Sequence, residues 1–198
     1  MKPKIKNERY RQHRLAAIRA AAAVFADKGF HGASTRDIAE RLGIKQASLY
    51  YYFDSKEEAL SEVCLLGISD YVSRMDAIAA RDLAFEAKLL AAVNSHLTSY
   101  REKNEALKVY NDERLYLPEE QRTELKKRGS HYRELLEDML LAAREDGQLQ
   151  PGLDCHFAAQ AVIALCNGFG ELIVRDPDID LFDLTQKCTA VLLKGFSA

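Results

Sequence analysis

The sequence predicts an all-α chain, with a small N-terminal three-helix unit followed by a larger helical body. Three observations carry that expectation. Apolar residues recur three and four positions apart along nearly the whole chain, and no stretch alternates as a half-buried strand does. Four prolines and ten glycines in 198 residues leave room for long uninterrupted helices. The charge is also divided. Residues 1–56 hold twelve Lys/Arg against five Asp/Glu, and residues 57–198 hold sixteen against twenty-five, so a head of +7 is joined to a body of −9. A basic head on an acidic body points to a polyanion at one end only.

The elements follow from local signals. The first helix carries Leu15, Ile18, Ala22 and Phe25 on one face and stops at Lys28-Gly29, a cationic last turn followed by glycine. Ser34-Thr35-Arg36-Asp37 is a capping box for a short second helix. Gly43 breaks the pattern, and Lys45–Tyr52 makes a third helix. Asp54 to Glu58 caps a long fourth helix with Leu60, Cys64, Gly67, Tyr71, Met75 and Ile78 along one side. Further helices are expected over 84–102, 105–116, 118–146, 155–174 and 180–195. Pro118 followed by Glu119 and Glu120 suits a first helical turn, and Gly147 and Pro151-Gly152 end the longest helix.

Within the head, Ile38, Ala39 and Leu42 form the inner face of one helix, while Ile44 and Leu49 frame the next. Gly43 supplies the tight turn between them. This is helix-turn-helix spacing, in which the second helix enters a DNA major groove by its N-terminal end. That end carries Lys45, Gln46, Ala47 and Ser48. Glutamine pairs with adenine through two hydrogen bonds, serine accepts either base, and alanine packs on a thymine methyl. Tyr50 and Tyr52 offer phenolic donors to phosphates, and Thr35, Arg36 and Lys56 sit in first turns where free backbone N–H groups also face anions. Upstream, Lys2, Lys4, Lys6, Arg9 and Arg11 form a basic arm for the backbone or a minor groove.

Residues 14–60 resemble the DNA-binding region of the TetR family almost position for position. The matching pieces are Ala21–Phe30, Thr35-Arg36-Asp37-Ile38-Ala39, Gly43-Ile44 and Leu49-Tyr50-Tyr51-Tyr52-Phe53-Asp54-Ser55-Lys56-Glu57. The resemblance implies a homodimeric regulator that binds double-stranded operator DNA and is released by a small-molecule effector. It places Arg36, Gln46, Ala47, Ser48, Tyr50, Tyr52 and Lys56 where family members touch DNA, and makes Thr35 the cap that orients its helix. The expected domains are a helix-turn-helix domain with its basic arm over 1–56 and an effector-binding and dimerisation domain over 57–198.

After residue 60 the resemblance is diffuse. Ala161–Cys166 is apolar all round, and Leu181, Leu184, Cys188, Val191 and Leu192 give the last helix an apolar face. A twofold partner covering these two helices gives an intermolecular bundle, with Val162, Leu165, Leu184, Val191 and Leu192 as its contacts; core packing within one chain is the alternative. The family's effector cavity implies a lining drawn from His96, Tyr100, Tyr110, Glu113 and Arg114 with polar tips, and Phe85, Met139, Cys166 and Phe169 as apolar wall. The stretch Tyr110–Pro118 is similar to a segment of family members that control fatty-acid and acyl-CoA catabolism, which implies a coenzyme A thioester. The absence of tryptophan departs from several of those relatives. A repressor of drug efflux that senses lipophilic cations or planar aromatics, served by Glu86, Glu113 and Glu171, is the second reading.

Other classes find less support. Gly-x-Ser-x-Gly, a glycine-rich phosphate loop and His-Glu-x-x-His are all absent, and His31, His131 and His156 lie in loops or at helix ends among charges, so no enzyme is expected. Cys64, Cys155, Cys166 and Cys188 form no Cys-x-x-Cys pair and read as free thiols in a reducing compartment, with no metal or cofactor. The polar, basic N-terminus is not a secretory signal, and the longest uncharged stretch, Cys155–Gly170, is sixteen residues. A cytoplasmic protein without a membrane partner follows. An architectural DNA-bending protein would have no use for so large an acidic body.

Overall fold

A computed structural model describes residues 8–176 and 178–196, so Lys2, Lys4 and Lys6 of the basic arm lie outside the described residues. Its helices are α1 (Glu8–Gly32), α2 (Thr35–Leu42), α3 (Gln46–Leu49), α4 (Lys56–Ile68), α5 (Tyr71–Ala79), α6 (Phe85–Glu113), α7 (Glu119–Glu145), α8 (Cys155–Arg175) and α9 (Leu181–Phe196). A single 3₁₀ turn, Arg114–Tyr116, joins α6 to α7. No strand occurs among the described residues. The chain forms two compact units: one runs to Ile68 and takes in Glu105–Leu125, and the other combines Ser69–Asn104 with the residues from Lys126 onward.

The first unit is wrapped around α1. Ala20, Ala21, Ala22, Ala23, Val24 and Phe25 are consecutive and all buried, so α1 is covered on every side at its middle rather than along one face. Short alanine side chains make this possible, because α2 and α4 pack close against them. Leu15, expected on the inner face, is 37% exposed, while Ala17 and Ile18 beside it are buried. Ile38, Leu49, Leu60 and Val63 complete the core, joined by Val109, Leu117 and Leu125 from the C-terminal part of the same unit.

Two expected helices are divided differently. The long fourth helix stops at Ile68 and restarts at Tyr71, because Asp70 adopts a left-handed conformation at φ 68°. Lys103 holds that break, its Nζ donating to the Ser69 carbonyl and hydroxyl and to the Asp70 carboxylate at 2.8–3.0 Å. Conversely, the helices expected over 84–102 and 105–116 are one, α6, bent at Lys103 (φ −137°, ψ 31°). The clasp and the bend therefore sit at the same residue.

In the second unit Met75, Leu89, Val93, Leu97, Leu136 and Leu140 are fully buried. Gly170 of α8 takes the ring of Tyr100 directly against its backbone, where a Cβ would come within 2.5 Å of the ring. Cys64, Cys155, Cys166 and Cys188 are all free and buried. By length and composition α8 is apolar enough to cross a membrane. The core helix of a folded domain meets the same description, and the buried residues of α8, among them Ala158, Val162 and Cys166, pack within the chain.

Among the glycines of the first unit, Gly67 of α4 has the least room for a side chain. A Cβ there would lie 2.8 Å from the Ala106 carbonyl oxygen, a backbone atom that cannot swing aside. Gly67→Ala gains about 1 kcal/mol of helix propensity but forces α4 and α6 apart at a cost of about 1–3 kcal/mol. Denaturant unfolding should show a net loss for Gly67→Ala and none for Gly152→Ala, which has open space around it. An unchanged midpoint for Gly67→Ala would contradict the close approach.

Candidate nucleic-acid interface

The interface is built on two capped turns. Ser34 is the N-cap of α2: its hydroxyl accepts the Asp37 N–H at 3.2 Å, and the Asp37 carboxylate accepts the Ser34 N–H at 2.8 Å. The capping box is therefore the expected one, but the cap is Ser34; Thr35, expected to cap, is the first helical residue and its hydroxyl serves another partner. Lys28 at the end of α1 pairs with Asp37 at 2.6 Å, and that ammonium, with Ser34 behind it, holds the carboxyl far below the usual carboxylate range. At the other end of α2, Gly43 is left-handed at φ 72°, and the Ile44 N–H returns to the Ala39 carbonyl at 3.0 Å.

This turn launches α3, which is a single turn of helix, shorter than the expected Lys45–Tyr52. Residues 50–52 continue as hydrogen-bonded turns, with the Tyr52 N–H donating to the Leu49 carbonyl at 2.8 Å. Leu49 is fully buried and anchors α3 to the core, while Lys45, Gln46, Ala47 and Ser48 are all exposed. Four successive exposed side chains on a helix start, backed by one buried leucine, make a projecting edge suited to a groove.

Around that edge, Arg36 pairs with Glu40 at 2.8 Å on the open surface, and Gln46 Nε2 donates to Thr35 Oγ1 at 2.9 Å. Tyr50 is exposed, and Tyr52 is half-buried against the core. Lys56 is half-buried, its Nζ donating to the Phe30 and Ala33 carbonyls at 2.9 and 3.0 Å and lying 4.3 Å above the Phe30 ring. Two of its three N–H donors thus hold the α1–α2 turn, which leaves one for a phosphate. Tyr51, absent from the expected contacts, is 70% exposed and edge-on to Tyr10 and Tyr52. A run of three tyrosines with one inward-facing member was the signal available.

The residues expected to line an effector cavity fall in both units. Tyr110, Glu113 and Arg114 belong to the first. Glu113 accepts the Phe30 N–H at 3.1 Å, and Arg114 donates back to the Tyr110 carbonyl at 3.0 Å while lying over the Tyr110 ring. In the second unit, His96 is buried and its Nε2–H donates to Asn167 Oδ1 at 3.0 Å, while its Nδ1 accepts the Tyr132 hydroxyl at 3.0 Å. Tyr100 donates to the same Asn167 oxygen at 2.9 Å. Arg74 reaches the Ser99 hydroxyl and lies over the Tyr71 ring, but its buried Nε has no partner. Tyr71, Arg74, Tyr132 and Asn167 were not among the expected cavity residues. Cys166 is buried beside this network, and Phe169 is half-buried on α8. Phe85 and Met139 lie together elsewhere in this unit, lining a cleft of about 340 Å³ with Leu83, Leu135, Lys88 and Asp138.

Of the residues expected at a dimer contact, Val162, Leu184 and Leu192 are buried within the chain, so their side chains are already spent on the fold. Leu165 is half-buried and Val191 is 63% exposed. The open apolar residues of the same helices are Phe157 and Phe182, each 71% exposed, with Leu172 and Val174.

A capped helix, a glycine turn and a short projecting helix on a basic head define a helix-turn-helix DNA-binding protein. Residues 17–63 match the family model for bacterial regulatory proteins of the tetR family, and residues 82–171 match a tetracyclin repressor-like C-terminal domain. The chain is 32% identical over 146 residues to the HTH-type transcriptional repressor KstR2 of Rhodococcus jostii, covering 73% of this chain and 72% of that one. It is 23% identical over 182 residues to the fatty acid metabolism regulator protein of Bacillus subtilis, covering 91% and 94%. The crystal structure of the regulator FadR from Bacillus subtilis in complex with stearoyl-CoA shares the fold, with a TM-score of 0.74 at 22% identity over 91% of this chain and 98% of that one. The chain belongs to the TetR family: it is a DNA-binding regulator of transcription, not an enzyme.

Burial lowers the His96 pKa to about 4, the Asn167 hydrogen bond opposing it only in part. A histidine depressed in the fold from about 6.5 stabilises fully above that pH and loses the contribution as pH falls toward 4, a loss of about 3 kcal/mol over that window. Thermal unfolding of wild type should weaken between pH 6.5 and 4.5, with a smaller decline in His96→Gln. Equal declines would place the acid sensitivity elsewhere.

Proposed function

We propose that the head, residues 1–56, docks on operator DNA, and that residues 57–198 carry effector binding and dimerisation, the effector being a coenzyme A thioester of a medium or long acyl chain. Lys45, Gln46, Ala47 and Ser48 face the bases in this reading, and Thr35, Arg36, Tyr50, Tyr52 and Lys56 hold the phosphate backbone. The observation that carries the effector reading is the orphaned Arg74 Nε. A buried donor without an acceptor costs stability, and a thioester carbonyl placed beside Arg74, Ser99 and Tyr71 removes that cost. Phe85 and Met139 offer an apolar wall to an alkyl chain. The names of relatives support the same class: one is a fatty acid metabolism regulator, and one was crystallised with stearoyl-CoA.

Dimerisation is assigned to the open faces of α8 and α9. Phe157, Ala164, Gly168 and Leu172 recur at helical spacing on the exposed side of α8, with Phe182 and Val191 on α9. A second copy covering this stripe leaves both heads free to engage two half-sites. A cytoplasmic location follows from the DNA target. Effector binding shifts the heads away from the spacing the operator requires, which demands a preference of several kcal/mol for the released form.

Titration of acyl-CoAs, free fatty acids and cationic dyes against a preformed protein–DNA complex tests the effector. Acyl-CoAs should release DNA, and Arg74→Met should raise the concentration needed by roughly ten- to a hundred-fold, the worth of a hydrogen bond to a charged group, with operator affinity unchanged. Release by dyes alone would overturn the thioester and favour a drug-efflux repressor.

A further inference from the structure

We propose that Thr35 is the positioning residue that makes Gln46 selective for adenine over guanine, by occupying one of its two amide hydrogens. The inference rests on the reading of α3 as the base-reading helix. Gln46 is the first residue of α3 and Thr35 the first residue of α2, eleven positions apart in sequence, yet Nε2 of the one donates to Oγ1 of the other at 2.9 Å. Both ends of the contact are fixed differently. Thr35 is half-buried and β-branched, so its χ1 is stiff, and α2 is anchored through Ile38 and Ala39. Gln46 is exposed and flexible, and its bond to the Thr35 hydroxyl oxygen sets the plane of its amide. Thr35 is therefore the post, and Gln46 the arm it steadies.

The chemistry turns on which atoms are left. An unrestrained glutamine amide has two N–H donors and an acceptor oxygen. It reads adenine by giving one N–H to N7 and accepting from the N6 amino group through its oxygen. The same amide, turned over, gives both hydrogens to guanine, whose major-groove edge shows two acceptors, N7 and O6. Freedom thus makes glutamine ambiguous between the purines. With one hydrogen held by Thr35, the amide retains a single N–H and the oxygen, which complements adenine and sets the oxygen against O6 of guanine. Discrimination comes from excluding the wrong base rather than from an added contact to the right one. Thr35 keeps its own hydroxyl hydrogen, which is free to reach a phosphate and ties the base reader to the backbone.

Selection of the full-length protein on randomised DNA, with sequencing of the bound fraction, tests this with Gln46→Ala, Thr35→Val and Thr35→Ser beside wild type. Wild type should select adenine at one position in each half-site, and Gln46→Ala should lose that position alone. Thr35→Val removes the hydroxyl at constant shape, so guanine should rise there until the adenine preference, about ten-fold or more for a bidentate pair, approaches unity. Thr35→Ser keeps an oxygen and should keep most of the preference. Should Thr35→Val bind too weakly to select, Thr35→Ala removes the same oxygen with a smaller side chain and gives the same readout. An adenine preference retained in Thr35→Val, whether or not affinity falls evenly over all sequences, would overturn the positioning role and leave Thr35 as a phosphate contact alone. A wild type that selects no sequence would instead overturn the base-reading assignment of α3.

Discussion

The C-terminal end of α1 is the point on which the DNA-reading half depends. There the chain must leave a helix buried on all sides, turn through a left-handed Gly29 and start α2 at a fixed angle. Three charged side chains hold the exit. Glu113 takes the Phe30 N–H, Lys56 caps the Phe30 and Ala33 carbonyls, and Lys28 pairs with the Asp37 carboxylate that closes the α2 cap. Backbone groups at helix ends lack intrahelical partners and are satisfied here by charged groups, which form the stronger class of hydrogen bond. The positions of Thr35, Gly43 and α3 all follow from that exit.

In the proposed docking, DNA contacts and structural ties coincide at some residues. Lys56 spends most of its donors on the fold and retains one for an anion. Arg36 is paired with Glu40 on the open surface, so the proposed engagement with a phosphate would exchange one exposed partner for another at little cost. Steadying Gln46 before DNA arrives lowers the entropy lost on docking.

Much of the head was legible because its signals are local. Ser34 with Asp37, Gly43 with Ile44, and the buried Ile38, Ala39 and Leu49 are read within a few residues of each other. The division of α4 from α5 was not legible. Asp70 turns left-handed only because Lys103, thirty-three residues away, holds Ser69 and Asp70, and no local propensity announces that clasp. Glu113 and Tyr110 looked like cavity residues because polar tips on an apolar helix read that way in either role; their partners, the Phe30 N–H and the core of the first unit, are set by tertiary packing. α8 was read as apolar all round and α9 by one apolar face, and Val162, Leu184 and Leu192, expected at a dimer contact, are buried within the chain. A helix apolar all round carries no periodicity to orient it.

The central claim is that a pair of heads, each presenting Lys45 to Ser48, reads DNA as a twofold dimer. Recovery and sequencing of the genomic DNA bound by the full-length protein tests it most directly. A palindromic sequence should be enriched, its half-sites separated by about one helical turn, 10–10.5 base pairs, or a multiple of it. Enrichment of a single unrepeated site, or of no sequence over background, would contradict it.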